Sequence, residues 1–445
     1  MATGLNKNEV LSNEAFLAKR EIDELAMPDI GEAVSLTYQG KADESKVLSI
    51  NSGKFKVLNE NKTFSSVLEI PDNSYVLADN LYTLSKLYSQ GSKVDLIYLD
   101  PPYGTGLDFH SRALEHAYKD NMCPAVYLEF MRRRLIFMRE VLKDSGSIYV
   151  HIGHQMLSHM KVIMDEVFGA KNFQNIITRR KCSSKNFTRK SYSNINDYIL
   201  FYSKTSDFKW FQPRMKPDAE WLQKEYSKED SKGRFKLVPV HAPGTRNGAT
   251  GREWKGKMPP PGKHWQYAPE KLDELDAAGE IHWSKNGNPR RKVYLTNDKT
   301  VPYTDYWKDF RDAHHQSIKI TGYPTEKNLD MLKLIVQSAT EKGDLVIDPF
   351  VGSGTTIDAA NQLERRWIGM DQSFTSAKTV MRRFKQGLQA MGDYVEKQHI
   401  NQASLFDSNI DIVSNSTKVN FVVDDYIEKN NSKELTDLML ELHRI

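Results

Sequence analysis

The chain has 445 residues, of which 39% are hydrophobic and 27% charged, with a net charge of +4. That length suits one large domain or several ordinary ones. No stretch approaches the roughly 20 apolar residues of a membrane span, and the opening "MATGLNKNEVLSNEAF" lacks a signal peptide's apolar core. The two cysteines, Cys123 and Cys182, sit in no paired motif, which favours a reducing cytoplasm and argues against a metal site.

Residues 1–70 have weak periodicity and predict an N-terminal arm with a few short elements. From about 75 strands and helices alternate. "SYVLAD" predicts a strand, "NLYTLSKLYSQ" a helix and "VDLIYLD" a second strand. "AVYLEFMRRRLIFMREVLK" is a helical run, followed by the strand "GSIYVHI". In "QMLSHMKVIMDEVFG", Met156, Met160, Ile163 and Val167 share a helical face, which marks them as core. "NFQNIITR" and "DYILFYS" predict two further strands. A Gly- and Pro-rich insert follows. Its most regular part predicts a helix from Ala268 that turns at Gly279 into a strand. Alternation then returns through "TEKNLDMLKLIVQSAT" (helix), "DLVIDPF" (strand), "GTTIDAANQLE" (helix), "RWIGMD" (strand) and "FTSAKTVMRRFKQGLQAMG" (helix). Seven strands separated mostly by helices imply a doubly wound, mostly parallel α/β sheet interrupted by an insert. The last ~50 residues predict a polar tail with an amphipathic docking helix, "ELTDLMLELHRI".

Charge is unevenly spread. Residues 179–310 hold 27 Lys and Arg against 16 Asp and Glu, a local +11, so the remainder is −7. Six of the seven tryptophans lie in the same stretch. Basic charge mixed with aromatic rings suits a nucleic-acid surface, while some tryptophans would form the insert's own core.

Two strand ends hold the chemistry. "LIYLDPPYGTG" ends a strand at Asp100, where Pro101 and Pro102 stiffen the turn and Tyr103 adds a flat ring. "DLVIDPFVGSGTTIDAA" ends a strand at Asp348 and enters a helix through a turn with Gly352 and Gly354. That order suits close backbone approach to an adenosine-type cofactor. No lysine follows the last glycine, so it is not a Walker A loop. A third acid, Asp371, ends the next strand 23 residues beyond Asp348, where it can accept from ribose hydroxyls.

"DPPY" with "DPFVGSGTT" resembles the S-adenosylmethionine-dependent DNA amino-methyltransferases. The catalytic motif precedes the cofactor motif by 248 residues, like the permuted β group that includes type II and type III restriction–modification enzymes. "ADNLYTL", "GSIYVHI", "NFQNIITRRK", "DYILFYSK", "YWKDF" and "GYPTEKN" extend the likeness over about 75–385. The resemblance implies a Rossmann-like methyltransferase sheet with an inserted target-recognition domain. The divisions would be an arm (1–70), a catalytic half (71–178), the recognition domain (179–310), a cofactor half (311–391) and a tail (392–445). It implies S-adenosylmethionine as cofactor, double-stranded DNA as substrate, a homodimer, a separate restriction subunit as partner, and neither metal nor membrane. By the same resemblance Asp100 and the Pro101 carbonyl, stiffened by Pro102, would accept from the target amino group, and Tyr103 would stack on the base. Phe350, Gly352, Gly354 and Thr355, after Asp348, would line the cofactor's methionine end, Asp371 its ribose and Asp79 its adenine. Lys327 falls in the segment that closes over the cofactor, although Asn328 stands where relatives often have proline. Arg179, Arg180, Lys181, Arg290 and Arg291 are the candidate DNA contacts, the first three in "TRRKCSSKNFTRK" (178–190).

An adenine amino nitrogen is a poor nucleophile because its lone pair is delocalised into the ring. A carboxylate and a carbonyl that accept its hydrogens return density to nitrogen. The base must first be flipped from the duplex. Carbon-5 cytosine methylation is unsupported, because it needs a cysteine nucleophile, usually preceded by proline, whereas Met122 and Lys181 precede the two cysteines. Cytosine 4-amino methylation is the alternative, although those enzymes more often have serine at the position of Asp100. A DNA-binding module with an inactive methyltransferase domain is the other.

Overall fold

The computed structural model describes residues 34–59, 63–102, 108–110, 116–119, 124–182, 190–311, 319–321, 326–390 and 418–444. Two compact units are present, one running to Phe211 and resuming at Asp305, the other Gln212–Thr304.

The first unit is built on an eleven-stranded sheet. In chain order its strands are β1 (Phe55–Leu58), β2 (Phe64–Val67), β3 (Ser74–Leu77), β4 (Val94–Leu99), β5 (Leu142–Ile152), β6 (Phe173–Arg180), β7 (Asn196–Ser203), β8 (Tyr306–Trp307), β9 (Leu345–Asp348), β10 (Arg366–Asp371) and β11 (Asn420–Asp424). Their spatial order is β8-β6-β7-β5-β4-β9-β10-β3-β11-β1-β2. Six neighbours, β5 through β11, run parallel. β7 is antiparallel to both β5 and β6, and the β1–β2 hairpin lies antiparallel beside β11. All seven expected strands form. The sheet exceeds seven because both ends of the chain add to one edge and β8 to the other. β11, from the expected polar tail, pairs with β3 in register Val423↔Leu77 and is buried at Phe421, Val422 and Val423.

Helices cover both faces. α1 (Asn80–Ser89), α2 (Pro124–Val141) and α3 (Leu157–Phe168) bury Leu84, Leu135 and Met160 against Ile97, Val150 and Ile347. Met156, Met160, Ile163 and Val167 are buried there as the periodicity required. α4 (Leu329–Ala339), α5 (Thr355–Gln362) and α6 (Phe374–Gln386) serve the other face. There Trp367 of β10 meets Phe384 with ring centroids 4.9 Å apart, and Tyr75 of β3 bonds Ser376 at 3.1 Å. Trp367 and Tyr75 alternate with Ile368 and Val76 of the first core, as a strand's period of two dictates. The docking helix forms as α7 (Ser432–Arg444), with Leu435 and Leu438 buried and Glu441 paired to Lys378 of α6 at 3.0 Å.

The second unit begins at 212, not 179. The described residues between 179 and 211 stay with the first unit because β6 and β7 are ladder-paired into its sheet. The unit has a four-stranded antiparallel sheet (Lys228–Asp230, Gly233–Pro239, Pro289–Tyr294, Ile281–Trp283). The helix Pro269–Ala277 ends as Gly279 turns at φ 72° into the strand Ile281–Trp283. Trp254 and Trp265, both 2% exposed, pack with Val240, Leu272 and Ile281, and Trp283 stacks on Trp254 at 5.2 Å. Three of the six tryptophans in the basic stretch therefore make a small core. The charge divides as well: residues 212–304 hold 18 Lys and Arg against 12 Asp and Glu, about half of the local excess.

Candidate active site

β4, β9 and β10 are adjacent and parallel, so their carboxyl ends lie together. Each ends in one of the three acids singled out in the sequence: Asp100 just beyond β4, Asp348 and Asp371. Open α/β sheets bind ligands at that edge. Asp348 is 2% exposed and accepts from the Phe350 N–H at 3.0 Å. Burial pushes its carboxyl up to about 7, with the Asp100 and Asp371 charges adding to the rise, against the bonds from Thr356 and Phe350. Asp371 is also raised, again chiefly by burial, although it accepts from Ser373 N at 2.9 Å and Gly352 N at 3.0 Å.

The glycine turn joins β9 to α5. Gly354 sits at φ +82°, and a Cβ there would come within 3.0 Å of Val380 Cγ2. Both favour glycine. Arg383 of α6, 3% exposed, ties the turn down: it donates to Ser353 O at 2.7 Å and Thr355 Oγ1 at 3.0 Å and pairs with Asp358 at 2.8 Å. Thr355 thus spends its hydroxyl inside the protein. Phe350 packs on Phe130 at 6.1 Å. Asp79 caps α1 by accepting from Leu81 N at 2.8 Å and pairs with buried Arg134 at 2.8 Å. Burial lowers Arg134 to about 10, against the pull of Asp79. Arg134 also bonds Asn80, whose amide donates to Pro349 O at 2.6 Å, so it links the ends of β3 and β9.

Pro101 is buried and Pro102 half-buried, while Tyr103 lies outside the described residues. Lys327 Nζ lies 2.5 Å from Asp100 Oδ2, so the lysine expected over the cofactor engages the carboxylate of the first motif. Arg179 is corrected as a DNA contact. It is fully buried, forks onto Asp197 at 2.8 and 2.6 Å and donates to Phe310 O at 3.2 Å. Asp197 also lies 3.0 Å from His151 Nε2, and His151 Nδ1 lies 2.8 Å from Tyr98 Oη. Burial alone would raise Asp197, but the His151 ring and Arg179 hold it well below the usual carboxylate range. Burial lowers His151 against Asp197's pull, which favours a neutral ring with Nδ1 accepting from Tyr98. Arg180 and Lys181 are half-buried, and 183–189 of the basic run lies outside the described residues. Arg290 is exposed, whereas Arg291 bonds Tyr267 at 2.5 Å with its guanidinium over that ring. Sequence pattern missed Arg134, Arg383 and His151. Their spacing within "MRRRLIF", "MRRFK" and "YVHI" offers no signal that they turn inward.

Comparison with known proteins decides the family. The family model N6_N4_Mtase, described as DNA methylase, matches residues 94–381, from β4 to α6. The chain belongs to this family of DNA methylases. The methylase is 59% identical over 405 residues to the type II methyltransferase M.EcaI of Enterobacter cloacae, covering 91% of this chain and 89% of that one. It is 28% identical to the StyLTI Mod subunit, a type III restriction-modification enzyme of Salmonella typhimurium, over 79% of this chain and 58% of the subunit. It is 27% identical to the type II methyltransferase M.KpnI of Klebsiella pneumoniae, over 74% of this chain and 87% of that one. The methylase's matched region holds all three strand-end acids and the glycine turn.

Proposed function

We propose that this methylase transfers a methyl group from S-adenosylmethionine to the exocyclic amino group of adenine in double-stranded DNA, as the modification enzyme of a restriction–modification system. The observation that supports it most is the meeting of Asp100, Asp348 and Asp371 around one glycine turn, two of them held above the ordinary carboxylate range. Such acids gain from a cation and from hydroxyl donors. A sulfonium with a ribose offers both, so the residues fit this cofactor. When bound, it supplies an activated methyl group. Asp371 holds ribose hydroxyls, and Phe350, Gly352 and Gly354 shape the space beside the methionine end. Asp100 and the Pro101 carbonyl accept the two amino hydrogens and restore lone-pair density to the nitrogen. Tyr103 stacks on the extruded base.

Residues 212–304 serve as the core of target recognition, with Arg290 reaching DNA and Arg180 and Lys181 contacting it from the end of β6. The relatives' names favour a restriction partner on a separate chain, and the methylase acts as a homodimer. The test is nucleoside analysis of DNA methylated by the purified protein. N6-methyladenine is the expected product. N4-methylcytosine would move the target to the other amino base, and an unmodified digest would refute the reaction.

A further inference from the structure

All three guanidinium nitrogens of Arg383 meet acceptors inside the protein, on two separate segments. Nε pairs with Asp358 at 2.8 Å, and Nη1 donates to Ser353 O at 2.7 Å and Thr355 Oγ1 at 3.0 Å. Those three residues belong to the glycine turn and the start of α5. Nη2 pairs instead with Glu326 Oε1 at 3.1 Å. Glu326 is buried, and its other oxygen accepts from Thr321 N at 2.8 Å and Thr321 Oγ1 at 2.6 Å. Two residues on, Asn328 caps α4 by accepting from Met331 N at 3.1 Å. One guanidinium therefore ties the glycine turn after β9 to the segment that enters α4.

We propose that Arg383 is a positioning residue for the cofactor: it fastens the glycine turn to the segment at Glu326, so that the two sides of the cofactor site keep one separation. This rests on the proposed reading of the glycine turn and the Lys327 segment as those two sides. The physical need lies in the turn itself. Ser353 turns its carbonyl inward, and a buried carbonyl needs a donor. A donor that also reaches Glu326 must present several N–H groups in a fixed fork, which arginine does and lysine does not. Without the fork each side moves separately, and binding the cofactor must then order both. The hydroxyl of Ser376, also on α6, donates to Gly352 O at 2.7 Å. The turn therefore keeps a tie to α6 when the Glu326 arm alone is cut.

The test measures S-adenosylmethionine binding to the full chain by calorimetry, beside steady-state methylation of a duplex that the wild type modifies. Glu326→Gln replaces one acceptor oxygen by an amide nitrogen, so the side chain cannot serve Arg383 and Thr321 together. It should weaken the cofactor Kd about threefold or more, while KM for DNA changes less than about twofold. Arg383→Lys keeps the charge and loses the fork, and it should weaken the cofactor Kd about tenfold or more. The two changes break one link, so the double variant should bind the cofactor more tightly than the product of the two losses requires. A role in stability alone would lower the melting temperature and leave the cofactor Kd of the folded variants within about twofold of wild type, and that result would overturn the proposal. Losses that multiply in full would overturn it as well. If Arg383→Lys does not fold, Glu326→Gln decides by its cofactor Kd. Wild-type protein that binds no S-adenosylmethionine would refute the cofactor site itself, whereas a binding wild type beside unaffected variants refutes only the role of Arg383.

Discussion

Asp95 and Asp344 at one edge of the central sheet and Asp348 and Asp371 at the other are handled in opposite ways. At the amino edge Asp95 of β4, 1% exposed, is met by Lys143 at 2.8 Å, Lys209 at 3.3 Å and the Leu345 N–H at 3.0 Å. Its neighbour Asp344 pairs with Lys209 at 2.6 Å. Burial would raise Asp344, but the Glu341 N–H and the lysines hold it low. At the carboxyl edge Asp348 and Asp371 receive N–H and hydroxyl donors but no cation among the described residues, and both are raised. The amino edge compensates its charges for stability. At the carboxyl edge Asp100 is paired with Lys327, so the contrast rests on Asp348 and Asp371, and perturbed acids of this kind mark candidate functional sites.

Substitutions at the two edges should separate along that line. Asp100→Ala should reduce methyl transfer at least about a hundredfold to a thousandfold while cofactor affinity stays within a few-fold, measured by labelled methyl incorporation and calorimetry. Asp95→Ala should do the converse. It strands two partly exposed lysines and the Leu345 N–H, and it should cost about 3 kcal/mol in denaturant unfolding while turnover at a permissive temperature is retained.

Asp348→Asn sharpens the comparison through pH. The Asp348 carboxyl is near 4 in the unfolded chain and about 7 when folded. Above pH 4 the unfolded state gives up its proton more readily, so the folded state loses stability as pH rises toward 7. The variant lacks this loss. Its stability relative to wild type should improve by about 2–3 kcal/mol between pH 5 and pH 8, read from melts of cofactor-free protein. A pH-independent difference would place Asp348 with the compensated acids. Gly354→Ala should cost about 1–2 kcal/mol, through its positive φ and the Val380 contact. The smallest effects lie in the second unit. Arg290→Ala should lower the salt slope of DNA binding by about 1 without changing the melt. Arg291→Ala should cost about 1 kcal/mol of stability through its lost Tyr267 contacts. Identical salt slopes for the two variants would remove the distinction between them.

The sequence by itself determined the seven central strands, the helices between them and the three acids at strand ends. These signals are local: a run of apolar residues, a period, and a stop written in Asp, Pro or Gly. Only tertiary structure decided the rest. β1, β2 and β11 are short and flanked by polar chain, so their burial depends on the neighbours they find. The second unit starts at 212 because ladder pairing, invisible to composition, keeps β6 and β7 in the main sheet. Arg179 and Arg290 are alike in sequence, each beside another arginine. One lies against Asp197 inside the protein and the other in solvent. Charge along a chain records how many cations there are, while the partner of each is set by which strands fold beside it. For the same reason Lys327 could be placed near the cofactor from its motif, but its contact with Asp100, 227 residues away, exists only because the fold brings the start of α4 to the end of β4.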